Sequence, residues 1–331
     1  MSARAHSIDI IPDIHADMER LTRTLVHLGY RKTEQAWAHP EGRIAAFLGD
    51  FIDMGTQNAA VISLVRAMQQ RGHAVAILGN HELNALLYHE PGANSDGTND
   101  GYMRAHNAKN TRQHQTFLRE FPLDHPRTRD VLDWFLTLPV FLDLPGLRLI
   151  HACWDSMHIE TIRERSKDGR LQRVDLQELA FEDDTTSFAK AVLTVLKGPE
   201  AELPSPHHFL DIKGHERSAV RLNWWQPGAR TWRTAALSVP DPSGLPDTPV
   251  ADVVRLNFYG ADQKPVFFGH YKRCGQPMLD APNALCLDYP LQPCAYRWDG
   301  ERELRSEGLV SIPSKHTQGD GQHSIRPEMV E

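Results

Sequence analysis

Residues 44–55 read Ile-Ala-Ala-Phe-Leu-Gly-Asp-Phe-Ile-Asp-Met-Gly, and this stretch decides the fold. Its first half, Ile44 to Leu48, is a short apolar run typical of a buried strand, and Gly49-Asp50 ends that run. An amphipathic segment follows, with apolar positions at Ala59, Ile62 and Val65. A strand, a polar turn and a helix in this order are typical of βαβ units with a mainly parallel sheet.

The same order recurs on both sides of this stretch. After a first strand, apolar residues from Met18 to Leu28 recur at helical spacing, and Gly29 ends the predicted helix. The further predicted strands are Ile8 to Ile11, Ala74 to Leu78, Leu147 to Ile150 and Val266 to Phe268. Each strand runs into polar residues, and open α/β sheets place their functional sites at such strand ends.

Two intervals interrupt the pattern within a catalytic domain predicted over residues 1–305. Residues 91–129 are rich in Asn, His and Arg, with a helix expected near 110–120 that could act as a lid. Residues 157–255 combine charged helical segments, proline-rich turns and an aromatic patch with Trp224, Trp225 and Trp232. We expect one of the adjacent Trp224 and Trp225 to be buried and the other exposed, as on a strand. We expect the tail, 306–331, to be disordered because it has few apolar residues.

Composition narrows the class of protein. The chain has 331 residues, a formal net charge of -7 and 40% hydrophobic residues, so a buried core is expected and no overall basic field favours nucleic acid. No run reaches the roughly 20 apolar residues of a membrane span. The four cysteines form no CxxC pair, which predicts a cytoplasmic protein. Composition does not predict an oligomeric state.

Five polar clusters follow the strands in order. They are Asp13-x-His15, Gly49-Asp50-x-x-Asp53, Gly79-Asn80-His81-Glu82, His151-Ala152 and Gly269-His270. Any one of these clusters alone could be explained as a helix cap or a turn, without a functional role. Together they indicate one site.

On these motifs, the chain from Asp9 to Asp288, outside the two insertions, resembles the calcineurin-like metallophosphoesterase superfamily. Within it, the chain is most similar to the phosphoprotein-phosphatase branch, especially bacterial diadenosine tetraphosphatase-like and serine/threonine phosphatase-like members. The resemblance implies an α/β fold, a four-layer α/β/β/α sandwich with two insertions and a site at one sheet edge.

The resemblance also implies roles for the site residues. Asp13, His15 and Asp50 would hold one metal ion, and Asp50, Asn80, His151 and His270 the other. His81 would protonate the leaving oxygen, and Asp53 would orient its ring. Two divalent or mixed-valence transition metals, Mn, Fe, Zn or Co, suit such ligands, and a water activated by both would attack phosphorus.

Three positions depart from the better-known relatives. Lys272 stands where many members carry a second histidine, and Met54 and Leu78 stand where protein phosphatases carry phosphate-binding arginines. Replacement cations are expected from the first insertion or beside His270. The candidates are Arg104, Lys109, Arg112, Lys272 and Arg273. Each could equally be a solvated surface charge.

The leading hypothesis is therefore a metal-dependent phosphohydrolase of a small phosphorylated metabolite or a dinucleoside polyphosphate. The alternatives are a serine/threonine-type phosphoprotein phosphatase and, from another class, an inactive metal-holding adaptor for phosphorylated partners. We expect Cys153 to be a small buried residue and Glu82 to be a helix N-terminal carboxylate. Four histidines, at positions 106, 114, 207 and 208, match no motif and stay unassigned.

Overall fold

The computed structural model describes residues 7–94, 100–181, 186–211, 214–226, 228, 230–237, 239–250 and 258–313. Its larger sheet has the strand order β16-β15-β1-β4-β5. These strands are β1 (Ile8–Ile11), β4 (Ile44–Phe47), β5 (Ala74–Ala76), β15 (Cys294–Trp298) and β16 (Leu309–Ser311). Strands β1, β4 and β5 run parallel, and β15 joins β1 antiparallel.

The second sheet has the order β14-β13-β7-β6. Its strands are β6 (Phe141–Asp143), β7 (Arg148–Ile150), β13 (Val266–Phe268) and β14 (Ala284–Cys286). Strand β13 is parallel to both of its neighbours, and β6 is antiparallel to β7. Every strand predicted from the sequence therefore lies in one of these two sheets, with bounds that differ by at most two residues at either end.

Alternate residues of the strands separate the layers. Ile8 and Ile10 of β1 share a buried core with Leu149 of β7 and Phe267 of β13, whereas Ile11 faces the opposite side. Because side chains on a strand alternate between its two faces, the two sheets pack against each other through this shared core. The outward faces carry the helices, so the four-layer α/β/β/α sandwich is confirmed.

The helices cover the outer faces. They are α1 (Met18–His27), α2 (Asn58–Gln70), α3 (Asn80–His89), α4 (Ala108–Glu120), α5 (Pro126–Leu136), α6 (Ser156–Arg165), α7 (Leu176–Leu179), α8 (Ser187–Lys197) and α9 (Trp232–Ala235). Short 3-10 helices lie at Arg173–Asp175, Pro242–Gly244 and Ser306–Gly308. In the described part of the chain, no helix is long and apolar enough to span a membrane.

The first insertion contributes to the core. Helix α4 matches the predicted helix, and its Phe117 is fully buried in the same cluster as Phe135 of α5 and Val65 of α2. Burying a phenylalanine side chain stabilises a fold by roughly 1.5–3 kcal/mol. The packed face of α4 is therefore part of the domain, and α4 is not a detached lid.

The second insertion forms small sheets of its own. A three-stranded sheet contains β8 (Glu200–Glu202), β11 (Ala219–Leu222) and β12 (Ala236–Leu237), and a hairpin pairs β9 (Phe209–Leu210) with β10 (Glu216–Arg217). A further hairpin, β2 (Arg31–Lys32) with β3 (Trp37–Ala38), follows α1.

Two expectations are wrong. Trp224 and Trp225 are both buried, because they follow β11 instead of lying on it; their rings meet edge to face and both pack on Phe268. The tail is not disordered from residue 306, because Leu309–Ser311 pairs with β15 as an edge strand. Residues 314–331 lie outside the described part.

Candidate active site

Strand ends deliver most of the candidate site residues to one place. Asp13 follows β1, Asp50 follows β4, and Asn80 begins α3 just after β5. From the second sheet, His151 follows β7 and His270 follows β13. Because the strands within each sheet run parallel here, their carboxyl ends share an edge. A cavity of about 640 Å³ opens at this edge, and Asp13, His15, Asp50, Asn80, His81 and His270 line it.

The glycines of the motifs permit this convergence. A Cβ atom at Gly79 would lie 2.3 Å from both the backbone nitrogen and Oδ1 of Asp50. A Cβ at Gly269 would lie 1.9 Å from Oδ1 of Asp13. Both distances are far below van der Waals contact. Glycine is required at these two positions because the carboxylates pass directly against the backbone.

The backbone of the site is strained and firmly held. His15, Asp50, Asp53 and His270 have φ angles of 51°, 50°, 66° and 66°, in the left-handed region, and such residues cost about 1–3 kcal/mol each. Glu82 holds the loop after β4, since its carboxylate accepts hydrogen bonds from the backbone N–H groups of Asp50 (2.8 Å), Phe51 (2.8 Å) and Gly79 (3.0 Å). Glu82 is therefore a carboxylate at the start of α3 that binds backbone amides.

Asp50 belongs to two groups of potential metal-ligand atoms. One group joins it to His15 and His81, the other to Asp13 and His151, and within each group the ligand atoms lie within 4.8 Å of one another. Asn80 extends the second group: its Oδ1 lies 2.9 Å from His151 Nε2 and 2.8 Å from His270 Nδ1. The arrangement could hold two metal ions with Asp50 between them.

The imidazoles differ in charge. Burial lowers the pKa of His15 to about 4 and also lowers the pKa values of His151 and His270. These rings are neutral at pH 7 and keep a lone pair for a metal ion. His151 donates Nδ1–H to the Leu48 carbonyl (2.8 Å), which leaves Nε2 as the atom facing Asp50. In metal-binding histidines, a hydrogen bond from the ring nitrogen that does not bind the metal orients the ring in this way.

His81 has the opposite character. Burial alone would lower its pKa, but the Asp50 charge and the hydrogen bond to Asp53 outweigh burial and raise the pKa to about 9. Its Nδ1 lies 2.7 Å from Asp53 Oδ2, and its Nε2 lies 3.9 Å from Asp50 Oδ2. A protonated ring in this position suits a proton donor better than a metal ligand.

Only some of the predicted substrate-binding cations line a cavity. Lys272 lines the cavity of the site, and Arg104 and Lys109 line an adjoining cavity of about 580 Å³. Arg112 is exposed on α4 and Arg273 pairs with Asp280; neither lines either cavity. Leu78 is fully buried and lines neither cavity.

Sequence reasoning missed three further residues. Arg221 on β11 lines both cavities, and Asp288 lines the first with one carboxylate oxygen buried and without a hydrogen-bond partner in the described chain. His114 donates a hydrogen bond to Asp53. No local motif marks Arg221 or His114. Asp288 did carry a signal, since it lies in the Cys-Leu-Asp-Tyr segment after the last motif. Cys153 is buried, as expected.

Comparison with known proteins identifies the family. A family model described as calcineurin-like phosphoesterase matches residues 6–273. The bis(5'-nucleosyl)-tetraphosphatase PrpE [asymmetrical] of Halalkalibacterium halodurans is 38% identical over 73 residues, and that of Bacillus subtilis is 36% identical over 73 residues. These alignments cover 22% of this chain and 30% of each relative.

A cold-active protein-tyrosine phosphatase of a Shewanella species has a related structure, with a TM-score of 0.49 and 12% identity, covering 93% of this chain and 80% of that one. The assignment rests on the family model, which spans most of the chain and includes all five motifs. This protein belongs to the calcineurin-like phosphoesterase family.

Proposed function

We propose that this protein is a metal-dependent enzyme that hydrolyses phosphoric ester bonds with two metal ions, held by Asp13, His15 and Asp50 on one side and by Asp50, Asn80, His151 and His270 on the other. The observation that supports this most directly is the position of Asp50 in both groups of potential ligands. When bound, such ions lower the pKa of a water molecule and stabilise negative charge on a phosphoryl group.

The charges of the site fit this proposal. Burial and the neighbouring carboxylates of Asp288 and Asp50 raise the pKa of Asp13 well above its usual value, and burial raises the pKa of Asp288 to about 6. Three carboxylates this close together are costly without a cation between them.

The remaining chemistry falls to the chain's own side chains. His81 Nε2 faces the cavity beside Asp50, where it would donate a proton to the oxygen that leaves with the product alcohol or phosphate. Asp53 holds the other ring nitrogen, which keeps Nε2–H directed into the cavity.

The cleft supports a small substrate with more than one phosphate. The two cavities share Asn80, Gln113, Arg221 and His270 in their walls, so they form one continuous cleft. Each has a volume in the range of small-molecule sites, about 300–1,000 Å³. A phosphate at the metal side would leave the rest of the molecule in the second cavity. A dinucleoside polyphosphate, the substrate class in the name of the PrpE relatives, has this form.

Arg221 is our candidate for the phosphate-binding arginine. It reaches the cleft from the second insertion, and its Nε donates to Glu200 Oε1 (3.0 Å), which orients the guanidinium. The charge of Arg221 contributes to lowering the pKa of His270, a sign that the two groups lie close together. Arginine is suited to phosphate because its planar fork can donate two hydrogen bonds at once.

The test is a substrate panel with manganese-loaded protein. We expect turnover of p-nitrophenyl phosphate and diadenosine tetraphosphate, with the higher kcat/KM for the tetraphosphate. Arg221→Ala should lower kcat/KM for the tetraphosphate by about 10- to 100-fold, the effect of losing one charged hydrogen-bond donor of about 1.5–3 kcal/mol.

Arg119→Ala is the matched control, because Arg119 is an exposed arginine of α4 that lines neither cavity. If the protein hydrolyses phosphopeptides but not nucleotides, the proposed substrate class is wrong and the protein is a phosphoprotein phosphatase. Tight binding of phosphopeptides without turnover of any substrate would instead favour the adaptor.

A further inference from the structure

Four side chains form an unbroken line of hydrogen bonds that begins in the site. His81 Nδ1 lies 2.7 Å from Asp53 Oδ2, and Asp53 Oδ1 lies 2.9 Å from His114 Nδ1. His114 Nε2 then lies 3.1 Å from His89 Nε2. All four residues are buried. The first lines the cavity of the site, and the last lines a separate cavity of about 480 Å³. Only His81 and Asp53 belong to the motifs of the sequence.

The chemistry of these groups fixes the direction of each bond. An ionised carboxylate only accepts, so both His81 and His114 donate their Nδ1–H to Asp53. With its proton on Nδ1, the His114 ring has a lone pair on Nε2, and His89 donates to it. This leaves a lone pair on His89 Nδ1, which is buried without a partner in the described part of the chain. Burial and the neighbouring His114 lower the pKa of His89 to about 3, so His89 is neutral at pH 7.

Helix α4 holds Asp53 a second time, through the backbone. Glu120, in the last turn of α4, accepts hydrogen bonds from the side chain and backbone of Asn58 (both 2.8 Å). Asn58 Oδ1 in turn accepts from the backbone N–H of Asp53 (2.9 Å). Asp53 has a left-handed φ of 66°, a conformation that persists only when its surroundings enforce it. The first insertion therefore fixes both the carboxylate and the backbone of Asp53.

We infer that His114 is a positioning residue for proton donation by His81, acting through Asp53. By holding Oδ1, His114 fixes the carboxylate rotation that presents Oδ2 to His81. This inference rests on the proposed role of His81 as the proton donor. His89 completes the arrangement, since its hydrogen bond sets which nitrogen of His114 carries the proton.

The electrostatics of Asp53 agree with this role. Burial alone would raise the pKa of Asp53, but the hydrogen bonds from His114 and His81 outweigh burial and hold the pKa below its usual value. His114 thus helps keep Asp53 ionised, as an acceptor from His81 must be.

A purely structural role for His114 makes a different prediction. Its ring stacks on Phe117 with centroids 4.7 Å apart and contacts Tyr88 at 5.1 Å. If packing were its only role, phenylalanine would replace it well and asparagine would not. If the Nδ1–H group matters, the order reverses, because the asparagine amide can occupy the place of Nδ1 and phenylalanine has no donor.

The experiment compares His114→Phe and His114→Asn on two aryl phosphates. Phenyl phosphate releases a phenol with a pKa of about 10, as for a tyrosine side chain, so it depends on proton donation. Nitrophenol in p-nitrophenyl phosphate leaves more easily without a proton. In His114→Phe we expect kcat for phenyl phosphate to fall about 10-fold further than kcat for p-nitrophenyl phosphate, a part of the 10²–10⁴-fold typical of acid catalysis. His114→Asn should keep the wild-type ratio of the two rates.

Three controls make the outcome decisive. Metal content and thermal unfolding are measured for each variant, and His39→Phe, whose ring contacts the Leu28 carbonyl, should keep the wild-type ratio. If His114→Phe does not fold, His114→Ala should show the same selective loss. A wild-type ratio in His114→Phe, or in His114→Ala as its replacement, overturns the inference, and so does a selective loss on phenyl phosphate in His114→Asn as large as that in His114→Phe. Wild-type protein that turns over neither substrate would contradict the proposed function itself.

Discussion

The two sides of the site are built in different ways. The strand-end wall consists of Asp13, His15, Asp50, Asn80, His151 and His270, which follow β1, β4, β5, β7 and β13. The insertion wall consists of Gln113 and His114 from α4 and Arg221 from β11. The first wall carries anionic and neutral ligand atoms, and the second carries hydrogen-bond donors. One sheet edge thus supplies the candidate metal ligands, and the inserted elements supply side chains beside the proposed proton donor and the cleft.

This difference has a physical origin. Side chains at the ends of paired strands are fixed by the register of two whole sheets, so their relative positions change little with surface substitutions. Residues of the insertions are held at the site only by the packing of their own elements on the core. Phe117 provides such packing for α4. We therefore expect strand-end variants to affect metal binding and insertion variants to affect proton donation, substrate preference or stability.

Asp50→Asn should have the largest effect. The substitution keeps the shape of the side chain but removes the one charge that both groups of potential ligands share. Turnover of p-nitrophenyl phosphate should fall by more than about 100-fold, because even outer partners of metal ligands contribute 10- to 100-fold. Metal analysis should find less bound metal per chain. Asp130→Asn, an exposed acid paired with Arg66, is the control, and full activity in Asp50→Asn would refute the proposed centre.

The same difference decides what could be predicted from the sequence. The strand beginning at Ile44 and the polar residues after it were predictable because both signals are local: an apolar run and then Gly49-Asp50. Strands β15 and β16 were not, since a strand such as β15, which joins β1 from about 290 residues away, carries no local sign of its partner. The error at Trp224 and Trp225 has the same cause. The prediction places them on a strand, whereas the chain leaves β11 at Leu222.

The residues of the insertion wall could not be predicted, because no local sequence signal marks them. His114 is 61 positions from Asp53 and Arg221 is far from any motif, so only the packing of α4 and β11 brings them to the site. His114 does lie three residues before Phe117, on the buried face of α4. A histidine on the apolar face of a helix is a weak signal, because most such residues are satisfied within the core. Bound metal, kcat and substrate preference of the variants test the predicted roles of the residues in both walls.

His81→Ala tests whether His81 is a proton donor or a metal ligand. Its ring forms one group with His15 and Asp50, yet its raised pKa marks it as a proton donor. As a donor, its loss should lower kcat by about 10²–10⁴-fold with bound metal unchanged. His15→Ala is the comparison within the same group and should lose metal and activity together. If His81→Ala also releases metal in proportion to its loss of activity, His81 belongs to the strand-end wall as a ligand.

His89→Phe should have the smallest effect, and a pH-dependent one. Burial and the neighbouring His114 lower the pKa of folded His89 to about 3, whereas an unfolded histidine has its usual value near 6.5. Between these values the unfolded chain binds the extra proton, so the folded state loses stability as the pH falls from 6.5 towards 3. The phenylalanine variant lacks this proton.

Urea unfolding of metal-free protein at pH 7 and pH 5 measures the difference. From pH 7 to pH 5, the wild type should lose about 2 kcal/mol more unfolding free energy than His89→Phe, since 1.5 pH units below the unfolded pKa correspond to that amount. His39→Phe, compared in the same way, reports the acid sensitivity of the rest of the chain. Equal losses in the wild type and His89→Phe would mean that folding does not lower the pKa of His89.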